Sequence, residues 1–153
     1  MDFFELIRRG ELEEIKKRLA ESPALLDSKD PKGFPPLTLA TYNDQVQITE
    51  YLIKAGADIN ARDAAGNTAL MGVCFKGNTE IAQILIESGA DVNIQNHSGA
   101  TALIYAATFG QQYIAELLIQ NGADKSIKDG RGSTAYDHSR SQGFPDMSEM
   151  LKN

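Results

Sequence analysis

Three side chains could support nucleophilic or metal chemistry: Cys74, His97 and His138. A cysteine acts as a nucleophile only as its thiolate, with a base in reach, and a zinc site needs a closely spaced ligand set. None of the three lies near another in the sequence, and no interval between them matches a ligand pair. Cys74 therefore reads as a small packing residue. Gly130-Arg131-Gly132 looks like a fragment of a phosphate loop, but no strand precedes it, so it reads as a turn. Asn96-His97-Ser98 forms a glycosylation sequon, which has meaning only for a secreted chain. Asp58, Asp91 and Asp124 are too regularly spaced to be a catalytic carboxylate pair and read as turn residues. The expectation is no catalytic residue, no metal and no cofactor.

The elements that carry these residues repeat. Gly56, Gly89 and Gly122 stand 33 residues apart, and Asp30, Asp63, Asn96 and Asp129 keep the same step. Around each of the three glycines runs one phrase: Ile53-Lys-Ala-Gly-Ala-Asp, Ile86-Glu-Ser-Gly-Ala-Asp and Ile119-Gln-Asn-Gly-Ala-Asp. A fixed period of this size means stacked small units, none able to bury its apolar face alone. Within one unit, Asp63 to Asn67 is a turn, with the Asp side chain serving local N–H groups and Gly66 free to take positive φ. Thr68 stands at an N-cap and Ala69 to Lys76 is a short helix ended by Gly77. Asn78 caps a second helix, in which Ile81, Ile84 and Leu85 form one apolar stripe and Ile86 begins another face. Ile48, Tyr51 and Leu52, then Ile114, Leu117 and Leu118, repeat the stripe. Small residues at Ala40, Val73 and Ala106 let neighbouring units pack closely.

The turn, the helix start, the glycine between helices and the Gly-Ala-Asp-Val-Asn ending together resemble the ankyrin repeat family. The resemblance covers nearly the whole chain. It implies an all-α fold, a solenoid of stacked helix-turn-helix units with β-turn fingers. The expected division is an N-terminal cap over 1–29, repeats over 30–62, 63–95 and 96–128, and a C-terminal cap over 129–153. The chain departs from the family's pattern where His is usual, holding Thr38, Met71, Ile104 and Asp137, and Asp44 replaces the glycine between helices. Met1 to Leu26 carries two amphipathic stretches joined at Gly10. At the other end Thr134 repeats the N-cap, and Pro145 starts a last helix backed by Met147, Met150 and Leu151.

The family resemblance also implies where a ligand lies: along the concave face of finger tips and first helices. Transferred position by position, that face offers Leu39, Tyr42 and Asn43, then Gly72, Phe75 and Lys76, then Tyr105, Thr108 and Phe109. From the fingers come Phe34, Asn67, Ala100 and Arg131. The sites taken as partner-binding are Phe34, Tyr42, Asn43, Asn67, Phe75, Lys76, Tyr105, Thr108, Phe109 and Arg131. Aromatic residues anchor interfaces because they bury much area at low entropic cost.

The implied function is non-catalytic binding of another protein. The lack of an appended module points to an inhibitor or immunity-type role, with the chain a monomer. A net charge of −6 opposes nucleic acid as partner, since phosphate neutralisation needs a basic face. No apolar run reaches the ~20 residues of a membrane span. Met1 to Gly10 has no apolar leader core, so the cytoplasm is the expected location; a chain trimmed of its leader would read the same. The alternatives are a nucleic-acid binder using Arg8, Arg9, Lys32, Lys76 and Arg131, a small-ligand binder, and a thiol-dependent enzyme built on Cys74 with His97 or His138.

Overall fold

Five helix pairs follow one another in the computed structural model, which describes residues 1–152. They are α1 (Phe3–Arg9) with α2 (Leu12–Glu21), α3 (Pro36–Tyr42) with α4 (Val46–Lys54), α5 (Ala69–Lys76) with α6 (Thr79–Glu87), α7 (Ala102–Thr108) with α8 (Gln112–Gln120), and α9 (Ala135–Gln142) with α10 (Pro145–Leu151). No strand occurs among the described residues. A 3-10 turn, Pro23–Asp27, carries the chain from α2 to the first finger. The odd-numbered helices stack on one another from α1 to α9, and α4, α6 and α8 form the second layer.

Local chemistry accounts for the helix boundaries. The Thr68, Thr101 and Thr134 hydroxyls accept the N–H groups of Met71, Ile104 and Asp137, each three residues on. At Thr134 the Asp137 carboxylate also returns to the Thr134 N–H at 2.9 Å and completes a capping box. In the unit before these, Pro36 occupies N1 of α3, where a missing N–H costs nothing. Between α3 and α4, Asp44 takes φ +58, the one non-glycine with positive φ among the described residues. Its carboxylate is tied to Asn78 Nδ2 at 2.9 Å and Lys76 Nζ at 3.6 Å.

The packing follows the 33-residue register to both ends of the stack. Ile15, Ile48, Ile81, Ile114 and Met147 are all buried, as are Leu19, Leu52, Leu85, Leu118 and Leu151. Each such side chain contributes about 1.5–3 kcal/mol relative to exposure. Between them lie Ala40, Val73 and Ala106, whose small size allows close stacking of the first helices. The last unit holds Ser139 and Ser148 in the register of Ala106 and Ala115, and their hydroxyls pair with each other at 2.8 Å. Thr49, in the register of Ala82, has no such partner: its buried hydroxyl makes no hydrogen bond.

Candidate functional site

Each finger is held by one side-chain oxygen. Oδ1 of Asp30, Asp63, Asn96 and Asp129 accepts two backbone N–H groups, from the residues two and four places on, at 2.9–3.0 Å. This is the Asx-turn chemistry expected of these residue types. Neighbouring fingers are joined by His97 N–H to Ala65 O at 3.0 Å and by Gly130 N–H to Ser98 O at 2.9 Å. At the opposite end of the units, Asn60 and Asn93 accept the N–H groups of Asp91 and Asp124 at 2.9 and 2.8 Å. Asp58, Asp91 and Asp124 each accept an N–H two residues on. They are turn residues, as their spacing suggests.

Between the fingers and the first helices runs a groove of about 490 Å³, within the range of ligand-sized clefts. Its walls carry Phe34, Tyr42, Phe75, Tyr105 and Phe109. Tyr42, Phe75 and Phe109 are 43 %, 45 % and 43 % exposed, large values for aromatic rings. Phe75 and Phe109 meet edge to face, with centroids 4.7 Å apart and planes at 84°. Phe109 also lies nearly parallel to Tyr105 at 6.3 Å. Lys76 Nζ sits 4.7 Å from the centre of the Tyr42 ring.

Six of the ten residues singled out from the sequence line this groove: Phe34, Tyr42, Asn67, Phe75, Tyr105 and Phe109. The other four do not. Asn43 turns back to the Leu39 carbonyl at 2.7 Å, and Thr108 donates to the Ile104 carbonyl at 2.7 Å. Lys76 is drawn to Asp44, and Arg131 is exposed at the last finger. Leu39 and Ala100, placed on the concave face by the register, are buried at 6 % and 8 %, because the stacked neighbours cover them. Tyr105 is half-buried, with its hydroxyl accepting from Asn96 Nδ2 at 3.1 Å. Sequence reasoning read Asp63 as a turn residue and Thr38 and Met71 as departures from the family pattern, and placed none of them on this face, yet all three line the groove. A signal for the groove was present in the register: Gly72 stands where Leu39, Tyr105 and His138 carry side chains.

The reactive side chains remain apart from this groove. Cys74 is wholly buried, and burial pushes its thiol far above the ordinary range, which leaves it protonated and unreactive. His138 Nε2 lies 2.8 Å from Asp129 Oδ2 and holds the Asp129 carboxyl below its usual range, aided by the Ser133 and Arg131 N–H groups. His97 is exposed in a finger. No group of three His, Cys, Asp or Glu side chains able to hold a metal occurs among the described residues. Of the basic residues, Arg8 pairs with Asp30 and Glu5, Arg9 with Glu5, and Lys76 with Asp44. No described helix is long and apolar enough to cross a membrane.

Residues 61–129 match a family model for ankyrin repeats in three copies, and residues 32–64 match the single ankyrin repeat model. A comparison with curated proteins returned no match.

Proposed function

The chain belongs to the ankyrin repeat family, whose repeats are generally protein–protein interaction modules, and on that premise we propose that it binds another protein in the aromatic groove. The observation that carries the reading is the clustering of exposed rings. Five large hydrophobic side chains are exposed among the described residues, and three of them, Tyr42, Phe75 and Phe109, line one groove. Exposed apolar surface gathered in one concavity costs solubility and favours burial against a partner. In this reading 1–29 and 129–153 act as caps for repeats 30–62, 63–95 and 96–128. The role is non-catalytic, of an inhibitor or immunity type, carried out by a monomer in the cytoplasm. Pairing of Arg8, Arg9 and Lys76 with carboxylates supports a protein over nucleic acid as partner.

The test is affinity capture from the native host with mass spectrometry, followed by direct titration of the captured partner. Phe75→Ala and Phe109→Ala should each weaken the complex by about 1–3 kcal/mol, as truncated aromatic anchors do. Glu87→Ala, on α6 outside the groove, should bind normally. Normal binding by both Phe variants, with a defect in Glu87→Ala, would place the interface elsewhere.

A further inference from the structure

The four finger residues differ in what holds the second atom of their side chains. Arg8 Nη2 donates to Asp30 Oδ2 at 2.9 Å. Asn96 Nδ2 donates to Asn67 Oδ1 at 2.7 Å and to the Tyr105 hydroxyl at 3.1 Å. Asp129 Oδ2 meets His138 Nε2 at 2.8 Å. Asp63 Oδ1 serves its turn like the rest, but its Oδ2 has no hydrogen-bond or ion-pair partner among the described residues. Two differences account for this. The first-helix residue nine places on, which supplies Tyr105 and His138 in later units, is here Gly72. The residue in the register of Arg8 is here Thr41, whose hydroxyl is committed to the Thr38 carbonyl at 3.1 Å. Gly72 has no side chain, and the gap opens the groove that Asp63, Gly72 and the aromatic rings line together.

We propose that this groove receives an arginine side chain of the partner protein, with its guanidinium on Asp63 Oδ2 and its plane and stem against the rings of Phe75 and Tyr105. The inference rests on the groove being the partner-binding site. Three observations select the occupant. A carboxylate oxygen with no protein partner among the described residues, at the wall of an apolar cleft, is complementary to a cation. The aromatic faces favour a planar, weakly hydrated cation that can stack, which describes guanidinium better than ammonium. The chain itself completes the equivalent carboxylate, Asp30, with an arginine at hydrogen-bonding distance. Lys76, the cation nearest to the rings, does not fill this place, because Asp44 and the Tyr42 face already engage it.

The experiment is an NMR titration of the full-length, 15N-labelled protein with Nα-acetylarginine methylamide, its neutral citrulline counterpart, and Nα-acetylphenylalanine methylamide. The arginine probe should shift the amide signals of Asp63, Asn67 and Gly72 with a dissociation constant on the order of 1 mM, as suits a fragment of this size. Citrulline should bind at least about tenfold more weakly, the loss expected when a charge-assisted pair is removed. Asp63→Asn should bring arginine down to the citrulline level. That variant keeps its finger, because Asn96 makes the same pair of turn hydrogen bonds with an amide side chain. Gly72→Leu, which restores the residue type of position 39, should block the arginine probe, with thermal unfolding measured alongside to confirm that the variant is folded. A Cβ at Gly72 meets nothing nearer than Tyr42 Cδ1 at 3.6 Å. Equal binding of arginine and citrulline, indifference to Asp63→Asn, or no arginine binding at all would each overturn the inference. Phenylalanine probe shifts at Phe75 and Phe109 without arginine binding would leave the groove as a protein-binding site and refute only its arginine specificity. Shifts by neither probe would count against both.

Discussion

Replacing Gly89 and Gly99 by alanine separates two costs that the repeat imposes on its glycines. Gly89 ends α6 with φ +95, and a Cβ built there meets nothing within 4 Å. Its N–H bonds to the Ile86 carbonyl at 3.1 Å, and the Ala90 N–H reaches back to Leu85 at 3.1 Å, so the left-handed turn is fixed by the helix end. Alanine in that conformation costs about 1–2 kcal/mol, against which the stiffer unfolded chain returns about 0.4–1 kcal/mol. The expected net loss is about 1 kcal/mol for Gly89→Ala, and about 1–3 kcal/mol for the β-branched Gly89→Val. Gly99 has a similar φ of +79, but its Cβ would lie 2.7 Å from the Gly130 N and 3.0 Å from the Asp129 carbonyl carbon. Both are backbone atoms and cannot swing away. Relief requires the third and fourth fingers to part, which breaks the Gly130 N–H to Ser98 O bond of 2.9 Å. Loss of that bond adds about 1 kcal/mol, bringing Gly99→Ala to about 2–3 kcal/mol. Urea unfolding followed by far-UV circular dichroism measures both, with the slope of the transition checked for constancy. A Gly89→Ala protein as stable as the parent would refute the positive-φ requirement. Equal losses at the two sites would refute the contact between fingers.

Two further outcomes are expected. Cys74 should resist Ellman's reagent in the native state and react on unfolding, and Cys74→Ser should bind its partner normally at a cost under about 1 kcal/mol, because the equivalent Thr41 shows how a hydroxyl there bonds the carbonyl three residues back; fast native labelling, or lost function in a folded Cys74→Ser protein, would reopen thiol chemistry. Asp129, whose folded carboxyl titrates below its unfolded value, contributes stability present above about pH 4 and lost as the pH falls through the lower folded value. Asp129→Asn should keep the finger, as Asn96 does, and lose that part of the acid dependence. Thermal unfolding at pH 3 and pH 6 measures it, and an unchanged pH response would exclude the His138 contact as its source.

The fold was legible because every signal behind it recurs. The Asx turns at Asp30, Asp63, Asn96 and Asp129 and the threonine caps at Thr68, Thr101 and Thr134 depend on residues within one unit, and the Ile and Leu register is buried by neighbouring units of the same pattern, so the same spacing returns the same structure. The binding face was legible only in part. Leu39 and Tyr42 lie within one seven-residue helix, yet the first is covered and the second is not, because exposure depends on the side chains of the adjacent unit. The pairing of Phe75 with Phe109 joins non-equivalent positions of successive repeats, a contact that a 33-residue alignment does not register. Asp63 belongs to a recurring turn by sequence, and only the stack reveals that its second oxygen lacks the partner its three counterparts have. The period decided what each unit is, since backbone turns and caps answer to near neighbours in the chain. The groove was decided by tertiary packing, since its shape comes from one missing side chain at Gly72 and from rings supplied by three different units.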